Sequence, residues 1–302
     1  MSERLKIGLI GAGVFAGYHA QKLSRHPHVD FTGVVDQSGK RASDLAGKHN
    51  VPHSSLGDLL RVSEAIVIAS AASAHKSLSV QALEAGCHCL IEKPLAATEE
   101  GALAVTALAK SKNLIVQVGH QERMVFEAIG LMNVRERPLK IEAVRNSPYS
   151  VRGIDTSVTF DLMTHDIDLC TALMGRAPEE VEGLAGCVRS ETADMAYGRL
   201  HYGGTVAHLT ASRVAKETER WMKLTYATGE VYIDFNKKTL TNSTAFVLDA
   251  NFADKAIAKD SLGAATDNFV RAILDGVPVL VSADDGLIAV QAAAQIDEGR
   301  VG

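Results

Sequence analysis

The feature that most constrains the fold is a glycine pattern that directly follows the first apolar run of the chain. The run LKIGLI (5–10) is typical of a buried strand, and Gly11-x-Gly13-x-x-Ala16 and helical spacing over residues 14–26 come next. In such a turn the first glycine closes the bend, the second lets the backbone approach a pyrophosphate, and the third small residue lets helix and strand pack closely. The helix N-terminus supplies N–H groups and partial positive charge for the phosphates. The pattern therefore predicts a strand–turn–helix unit that binds a dinucleotide.

An acidic residue at the end of the second predicted strand supports this interpretation. Asp36 stands at the spacing typical of a carboxylate that binds the ribose hydroxyls of NAD. Such a carboxylate repels the 2′-phosphate of NADP, although Lys40 and Arg41 could reduce the repulsion. We expect NAD as the cofactor, NADP being disfavoured, with Val14 and Phe15 also at its site. The alternative is a glycine turn with a purely structural role.

The first 119 residues alternate short apolar runs with helical stretches. This alternation is typical of a parallel sheet that is covered by helices on both faces. It predicts an α/β fold for residues 1–119, a doubly wound Rossmann domain. The predicted strands are 5–10, 30–36, 64–70, 87–92 and 114–119.

The pattern changes after Gly119 to longer strands with alternating apolar and polar residues. YGRLHYGGTVAHLTAS (197–212) predicts two strands joined by a two-glycine hairpin turn, and residues 220–235 predict a second pair. Residues 120–302 should therefore form a C-terminal α+β domain with a large, mostly antiparallel open sheet. Such a sheet can leave one face free for a partner subunit, so we expect a homodimer or homotetramer.

Composition limits the classes of partner. The net charge of −5 and the 22% of charged residues predict neither a nucleic-acid nor a membrane partner. The N-terminus has no signal-peptide pattern, and four cysteines without a disulfide framework suit a reducing cytoplasm, which is the expected location. Cys87 and Cys89 flank His88, but strand alternation puts that histidine on the opposite face, so we expect no metal site.

Two further segments carry candidate catalytic residues. IEKPL (91–95) ends an apolar strand, and it is either a plain strand-to-helix turn or the support of a lysine that is used in chemistry.

The second segment is FDLMTHDIDLC, which starts at residue 160. It spaces Asp161, His165 and Asp168 at i, i+4 and i+7, so that they share one helical face, whereas Asp166 points elsewhere. An aspartate one turn from a histidine orients the ring and raises its pKa, as a general base near neutral pH requires. The alternative is a solvated acidic helix start with His165 on the surface.

The glycine pattern, EKPL and Asp-x-x-x-His-x-x-Asp, in this order, resemble the glucose–fructose oxidoreductase, inositol dehydrogenase and rhizopine catabolism family, written Gfo/Idh/MocA. The resemblance covers nearly the whole chain, including the block IVIASAASAHKSLSVQALEAGCHCLIEKPLA (66–96). One departure is ASAAS (69–73), where the family commonly has a Thr-Pro-Asn-like turn. The resemblance implies a Rossmann domain, a C-terminal domain with a large open sheet, and hydride transfer between NAD(P) and a sugar or cyclitol hydroxyl.

The same resemblance implies roles for individual residues. Lys93 matches the family's active-site lysine and would hydrogen-bond the reacting oxygen. Asp161 and His165 match its catalytic pair: His165 would take the hydroxyl proton, and Asp161 would orient the ring or relay the proton. Asp168 would be supporting or structural, and Pro94 matches a proline that often follows a cis bond. The implied cofactor site comprises Gly11, Gly13, Val14, Phe15, Ala16, Asp36, Ala69, His75, Glu92 and Lys93.

GHQERM (119–124) and residues 142–169 resemble, more narrowly, the UDP-N-acetylglucosamine 3-dehydrogenases within this family. These enzymes make a 3-keto sugar for a following aminotransferase, as in lipopolysaccharide biosynthesis. Arg123, Arg145 and Arg152 are candidate partners for a substrate diphosphate, or else ordinary surface arginines. The alternatives are a dehydrogenase acting on inositol or another sugar, and a non-catalytic nucleotide-binding regulator.

Overall fold

The computed structural model describes residues 4–151 and 153–301. The chain divides into two compact units. The first runs to Gly119 and includes Leu262–Leu287, and the second comprises His120–Ser261 and the residues from Ile288 onward.

The first unit is built on a parallel sheet. Its five strands lie in the order β2-β1-β3-β4-β5, which confirms the predicted doubly wound Rossmann architecture. The elements up to Gly119 are β1 (Leu5–Ile10), α1 (Val14–Arg25), β2 (Val29–Val35), α2 (Gly39–His49), α3 (Leu56–Val62), β3 (Ala65–Ile68), α4 (Ala72–Glu84), β4 (His88–Ile91), α5 (Glu99–Ser111) and β5 (Val116–Val118).

The order of the strands creates a switch point between β1 and β3. The chain leaves β1 toward β2 on one side, and β3 to β5 extend the sheet on the other. Ligands of open α/β sheets bind outside the carboxyl ends of the strands at such a point. Gly11 follows β1 and Ala69 follows β3, so both residues stand there.

The second unit is built on a mixed sheet of eight strands in the order β12-β11-β10-β6-β9-β8-β7-β13. Its neighbouring pairs are antiparallel, apart from β6 with β9 and β7 with β13, which confirms the expected mostly antiparallel sheet. After Gly119 the α-helices and strands of the described residues are α6 (Arg123–Ile129), β6 (Lys140–Asn146), α7 (Thr164–Met174), β7 (Glu180–Gly186), β8 (Met195–Tyr202), β9 (Thr205–Ser212), β10 (Glu219–Tyr226), β11 (Gly229–Asp234), β12 (Thr239–Asn242), α8 (Ala256–Lys259), α9 (Ser261–Asp275), α10 (Ala283–Glu298) and β13 (Arg300–Val301).

The two faces of this sheet differ in burial. On one face Ala143, Leu209 and Met222 stand opposite one another across β6, β9 and β10, and all three are buried. On the other face a mostly apolar row crosses five strands and remains at least partly exposed. The members of this open-face row are Leu184, Tyr197, Thr210, Val144 and Trp221.

Residues 262–287 belong to the first unit, although the sequence analysis placed them in the C-terminal domain. Phe269 and Val270 of α9 are fully buried in the core that the parallel sheet forms with α1 and α2. Gln117 Nε2 also donates to Ala265 O at 2.8 Å. A helical pattern of apolar residues does not specify which sheet the apolar face of the helix will cover.

Within the described residues, no helix is both long enough and apolar enough to cross a membrane. The same residues contain no group of three or more His, Cys, Asp or Glu side chains that could hold a metal ion.

Candidate active site

A cavity of about 730 Å³ lies in the first unit, where β1, β2 and β3 end. This is the switch point of the parallel sheet. Six of the residues expected at a cofactor line it: Gly11, Gly13, Val14, Phe15, Asp36 and Ala69.

The glycine turn fits a pyrophosphate. Gly11 has φ of +114°, and a Cβ there would lie 2.3 Å from Ala69 O, so only glycine fits. Gly13 precedes α1, and nothing lies within 4 Å of the place where its Cβ would be, so a phosphate can approach the backbone. Ala16 is fully buried, as close packing of helix and strand requires. The turn therefore has the free space and helix N-terminus that a dinucleotide needs.

Asp36 follows β2 and is held in place by hydrogen bonds. Ala12 N donates to its Oδ2 at 2.8 Å, and Ser38 N donates to its Oδ1 at 2.8 Å. Arg41 donates to Oδ1 from Nη2 at 2.9 Å and from Nε at 3.2 Å. Burial alone would raise the pKa of Asp36, but these hydrogen bonds and the charge of Arg41 bring it below its usual value. The carboxylate is ionised and already paired with a cation.

Glu92 and Lys93 follow β4. The Lys93–Pro94 peptide bond is cis. His19 Nε2 on α1 lies 2.8 Å from Glu92 Oε1, and both side chains are buried. A Cβ on Gly119 would come 2.9 Å from Glu92 Oε1, so the carboxylate occupies the space that this glycine leaves. Burial would raise the pKa of Glu92, but the hydrogen bond and charge of His19 and the charge of Lys93 lower it.

His75 holds the same loop from α4. Its Nδ1 lies 2.7 Å from Pro94 O, and its Nε2 lies 3.3 Å from Ser70 O. Burial lowers the pKa of His75, so the ring is neutral and has one N–H, which the shorter distance assigns to Nδ1. The side chain is 1% exposed, so we interpret its contribution as positioning of the Pro94 loop.

The segment with the second group of candidate residues is not a regular α-helix. Residues Thr159–Met163 are π-helical, and α7 begins at Thr164. A π-helical turn changes the angular spacing of side chains, so the expected common face of Asp161, His165 and Asp168 does not follow from α-helical geometry. Such turns occur frequently at functional sites.

The structure removes Arg123 and Arg145 from the candidates for a substrate diphosphate. Arg123 is 5% exposed and donates to Asp168 from Nε at 2.8 Å and from Nη2 at 2.7 Å. Arg145 is 2% exposed and donates to Asp166 from Nε at 2.9 Å and from Nη2 at 2.8 Å. Both guanidinium groups are thus buried against carboxylates, and Arg152 lies outside the described residues.

Asp166, which was expected to point away from the site, is therefore part of a buried cluster. Arg145, which pairs with Asp166, also donates to Glu122, from Nη1 to Oε1 at 2.7 Å and from Nη2 to Oε2 at 2.8 Å. Burial would lower the pKa of Arg145, but Asp166 and Glu122 raise it well above its usual value. The guanidinium stays charged and connects β6 to α7 and to the residue that precedes α6.

His165 lies beside this cluster. Its Nδ1 is 3.3 Å from Glu122 Oε2, an ion-pair distance. The ring of His120 meets it edge to face, with 5.6 Å between centroids and 86° between planes. Sequence reasoning missed both neighbours, although they directly follow the last strand of the parallel sheet, where functional side chains are common.

Asp161 is packed against a loop. Gly153 has φ of +73°, and a Cβ there would lie 2.9 Å from Asp161 Oδ2. Arg213 holds this loop, because its Nη1 donates to Gly153 O and to Thr156 O at 2.8 Å each. Asp194 accepts in turn from Arg213 Nε at 2.8 Å. The sequence offered no periodic signal for these contacts between distant segments.

The comparisons with known proteins agree with this arrangement. Residues 5–120 match the oxidoreductase family with an NAD-binding Rossmann fold, and residues 140–232 match the Gfo/Idh/MocA C-terminal domain. The chain belongs to the Gfo/Idh/MocA oxidoreductase family. The expected family and the expected cofactor, NAD, are thereby confirmed, and the protein is an enzyme.

Individual relatives extend the comparison. The chain is 31% identical over 303 residues to a UDP-N-acetylglucosamine 3-dehydrogenase of Acidithiobacillus ferrooxidans, covering 97% of this chain and 96% of that protein. A solved structure of this dehydrogenase from the same organism superposes with a TM-score of 0.88 at 31% identity, covering 98% of both chains. An inositol 2-dehydrogenase of Acidothermus cellulolyticus is 30% identical over 196 residues, covering 60% of this chain and 57% of that protein.

Proposed function

We propose that the protein is an NAD-dependent sugar dehydrogenase that oxidises C3 of a UDP-N-acetylhexosamine such as UDP-N-acetylglucosamine. The observation that carries the proposal is the extent of similarity to a UDP-N-acetylglucosamine 3-dehydrogenase, which covers 97% of this chain. The similarity to an inositol 2-dehydrogenase covers 60%. The family resemblance implies that residues of the second domain contact the substrate. Similarity that extends through this domain therefore supports a similar substrate.

The residues proposed for the chemistry come from both units. His165 takes the proton of the hydroxyl group, and Lys93 donates a hydrogen bond to the same oxygen and stabilises its developing negative charge. NAD, when bound, accepts the hydride from the carbon, so that a C=O bond replaces the C–H and O–H bonds. Asp161 orients His165 or relays its proton.

The proposed cofactor contacts are those of the cavity in the first unit. The N-terminus of α1, with Gly11 and Gly13, would hold the pyrophosphate, because the backbone there is accessible. Asp36 would accept from a ribose hydroxyl through Oδ2, which receives one described hydrogen bond, whereas Oδ1 receives three.

The product would be a 3-keto nucleotide sugar. A ketone at that carbon is the substrate that an aminotransferase needs to make a 3-amino sugar, as in lipopolysaccharide biosynthesis. We therefore propose that an aminotransfer reaction consumes the product.

We also propose that two copies associate through the open face of the second sheet. The open-face row includes Leu184 and Tyr197, which are 56% and 42% exposed. Large apolar side chains that are exposed on the open face of a sheet are typical of a protein–protein interface.

A substrate screen tests the proposed activity. Purified protein with NAD is offered UDP-N-acetylglucosamine, other UDP-sugars, inositols and free aldoses, and NADH absorbance is followed. We expect turnover with UDP-N-acetylglucosamine, and an aminotransferase added together with an amino-acid donor should pull the reaction forward. Turnover confined to inositols would overturn the substrate assignment and favour the second candidate, an inositol dehydrogenase.

A further inference from the structure

The geometry around His165 points to a residue that the proposed chemistry does not yet use. Glu122 Oε2 lies 3.3 Å from His165 Nδ1. We propose that Glu122 is a positioning residue, which orients the His165 ring and leaves Nε2 to accept the substrate proton. This inference rests on the proposed role of His165 as the proton acceptor.

Glu122 is itself held firmly. Arg145 makes a bidentate pair with its carboxylate at 2.7 and 2.8 Å, and a second bidentate pair with Asp166 at 2.8 and 2.9 Å. A bidentate pair fixes both the distance and the plane of a carboxylate. Because Arg145 and Asp166 are 2% and 1% exposed, neither can move away without leaving the other as a buried charge without its counter-ion. Glu122 therefore cannot rotate away from His165 without breaking two hydrogen bonds.

This arrangement selects one state of the histidine. The negative charge of the Glu122 carboxylate, 3.3 Å from Nδ1, favours the tautomer with the proton on Nδ1. Nε2 is then the unprotonated nitrogen that a general base needs. When it takes a proton, the ring becomes positive, and the Glu122 carboxylate stabilises that charge. Other ionisable groups of this part of the second unit include His120, Asp161, Arg145, Asp166, the pair Arg123–Asp168, and Arg220, whose charge acts on Asp166.

The Glu122→Gln variant tests the role, because it removes the charge and keeps the shape. With NAD and UDP-N-acetylglucosamine we expect kcat to fall about ten- to a hundredfold, part of the value of a positioned acid–base group. KM and the Kd for NAD should stay within about twofold, since Glu122 is proposed to act only through His165. The acidic limb of the pH profile should move to lower pH, because the protonated ring loses its partner.

The ring can also be observed without any substrate. NMR of histidine-labelled protein reports the pKa of His165 once its signal is assigned by its absence in His165→Asn. We expect Glu122→Gln to lower that pKa by about one unit. Glu127→Gln, on helix α6, which Glu122 precedes, serves as the matched control and should leave the pKa of His165 and kcat unchanged. Glu122→Asp keeps the charge but shortens the side chain. It should therefore lower the pKa of His165 as well, but by less than Glu122→Gln does.

The outcomes separate the inference from the proposed function. If Glu122→Gln folds and the pKa of His165 and the pH profile stay as in the wild type, the positioning role is wrong. If that variant does not fold, Glu122→Asp decides in the same way. Should His165→Asn keep full turnover, the proposed role of His165 as the proton acceptor fails, and should the wild type show no turnover of UDP-N-acetylglucosamine, the proposed substrate fails. In either case the NMR titration still shows whether Glu122 controls the ring.

Discussion

The guanidinium of Arg41 pairs with the carboxylate of Asp36, with Nη2 at 2.9 Å from Oδ1, at the cofactor cavity. Asp36 is 10% exposed in its side chain and Arg41 is 62% exposed, so the arginine can move while the carboxylate stays. Asp36, which disfavours the 2′-phosphate of NADP, thus lies beside Arg41, a cation able to bind that phosphate.

This pair leads to a prediction about cofactor preference. We expect NAD to bind more tightly than NADP, because Asp36 is ionised and rigidly held. Asp36→Ser should lower the ratio of the Kd for NADP to the Kd for NAD. Arg41→Ala should raise this ratio by weakening NADP binding, and each change should be about tenfold or less. Calorimetry with both cofactors measures the effect. Equal affinity of the wild type for NADP would show that Arg41 dominates the site.

The second prediction concerns the proposed catalytic pair. His165→Ala should lower kcat by about a hundred- to ten-thousandfold. Lys93→Ala should be at least as damaging, because it removes both a charge and the donor to the reacting oxygen. The double variant should lose less than the product of the two factors, since both groups act on one hydroxyl. Steady-state kinetics on the true substrate measure this, and near-wild-type turnover of both single variants would refute the assignment.

A matched observation controls for unfolding in that experiment. His165 is in the second unit, so His165→Ala should leave the calorimetric Kd for NAD nearly unchanged. A large loss of NAD affinity in this variant would indicate damage to the fold.

The third prediction concerns stability in acid. Asp194 is fully buried and accepts hydrogen bonds from Arg213 Nε and from the backbone N–H groups of Val188, Arg189 and Ser190. Burial would raise the pKa of Asp194, but these hydrogen bonds bring it well below its usual value of 3.8. Because the folded pKa is depressed, the stabilisation is fully present above pH 3.8 and is lost progressively as the pH falls below it.

Asp194→Asn should therefore lower the free energy of unfolding by about 3 kcal/mol at pH 7. The difference from the wild type should shrink between about pH 4 and pH 2. Urea unfolding at several pH values measures it. Asp254→Asn, at a position whose side chain is 84% exposed, is the control and should change stability little. A difference that is constant with pH would contradict the role of the charge.

The sequence allowed the architecture to be predicted because each element has a local cause. The two-residue hairpin at Gly203 and Gly204 and the cap at Thr98, whose Oγ1 accepts from Gly101 N, follow from neighbouring residues alone. The partners of Arg123 and Arg145 could not be predicted in this way, because the π-helical turn shifts the side chains that follow it. The sequence therefore left Arg123 and Arg145 as candidate partners of a substrate diphosphate or as surface residues, although both are buried.

The fourth prediction concerns self-association. The protein should be a dimer or tetramer at micromolar concentration in light scattering. Tyr197→Asp, in the open-face row, should shift it toward the monomer, because a charge would be buried in the interface. Leu103→Asp on α5 replaces a side chain of similar exposure, 45% against 42%, and should leave the mass unchanged. A monomeric wild type would show that this face has another use.

The last prediction concerns the loop at Asp161. Gly153→Ala should lower kcat, because the new Cβ would lie 2.9 Å from Asp161 Oδ2 and one of the two must move. The residue also has φ of +73°, so alanine strains the backbone as well. Gly86→Ala separates the two effects, since Gly86 has φ of +84° but nothing lies within 4 Å of its Cβ position. Both variants should lose about 1 kcal/mol of stability through the backbone. If the kcat values of both variants fell equally, a general loss of stability would account for the effect, whereas a loss confined to Gly153→Ala would show that turnover depends on the loop that packs against Asp161.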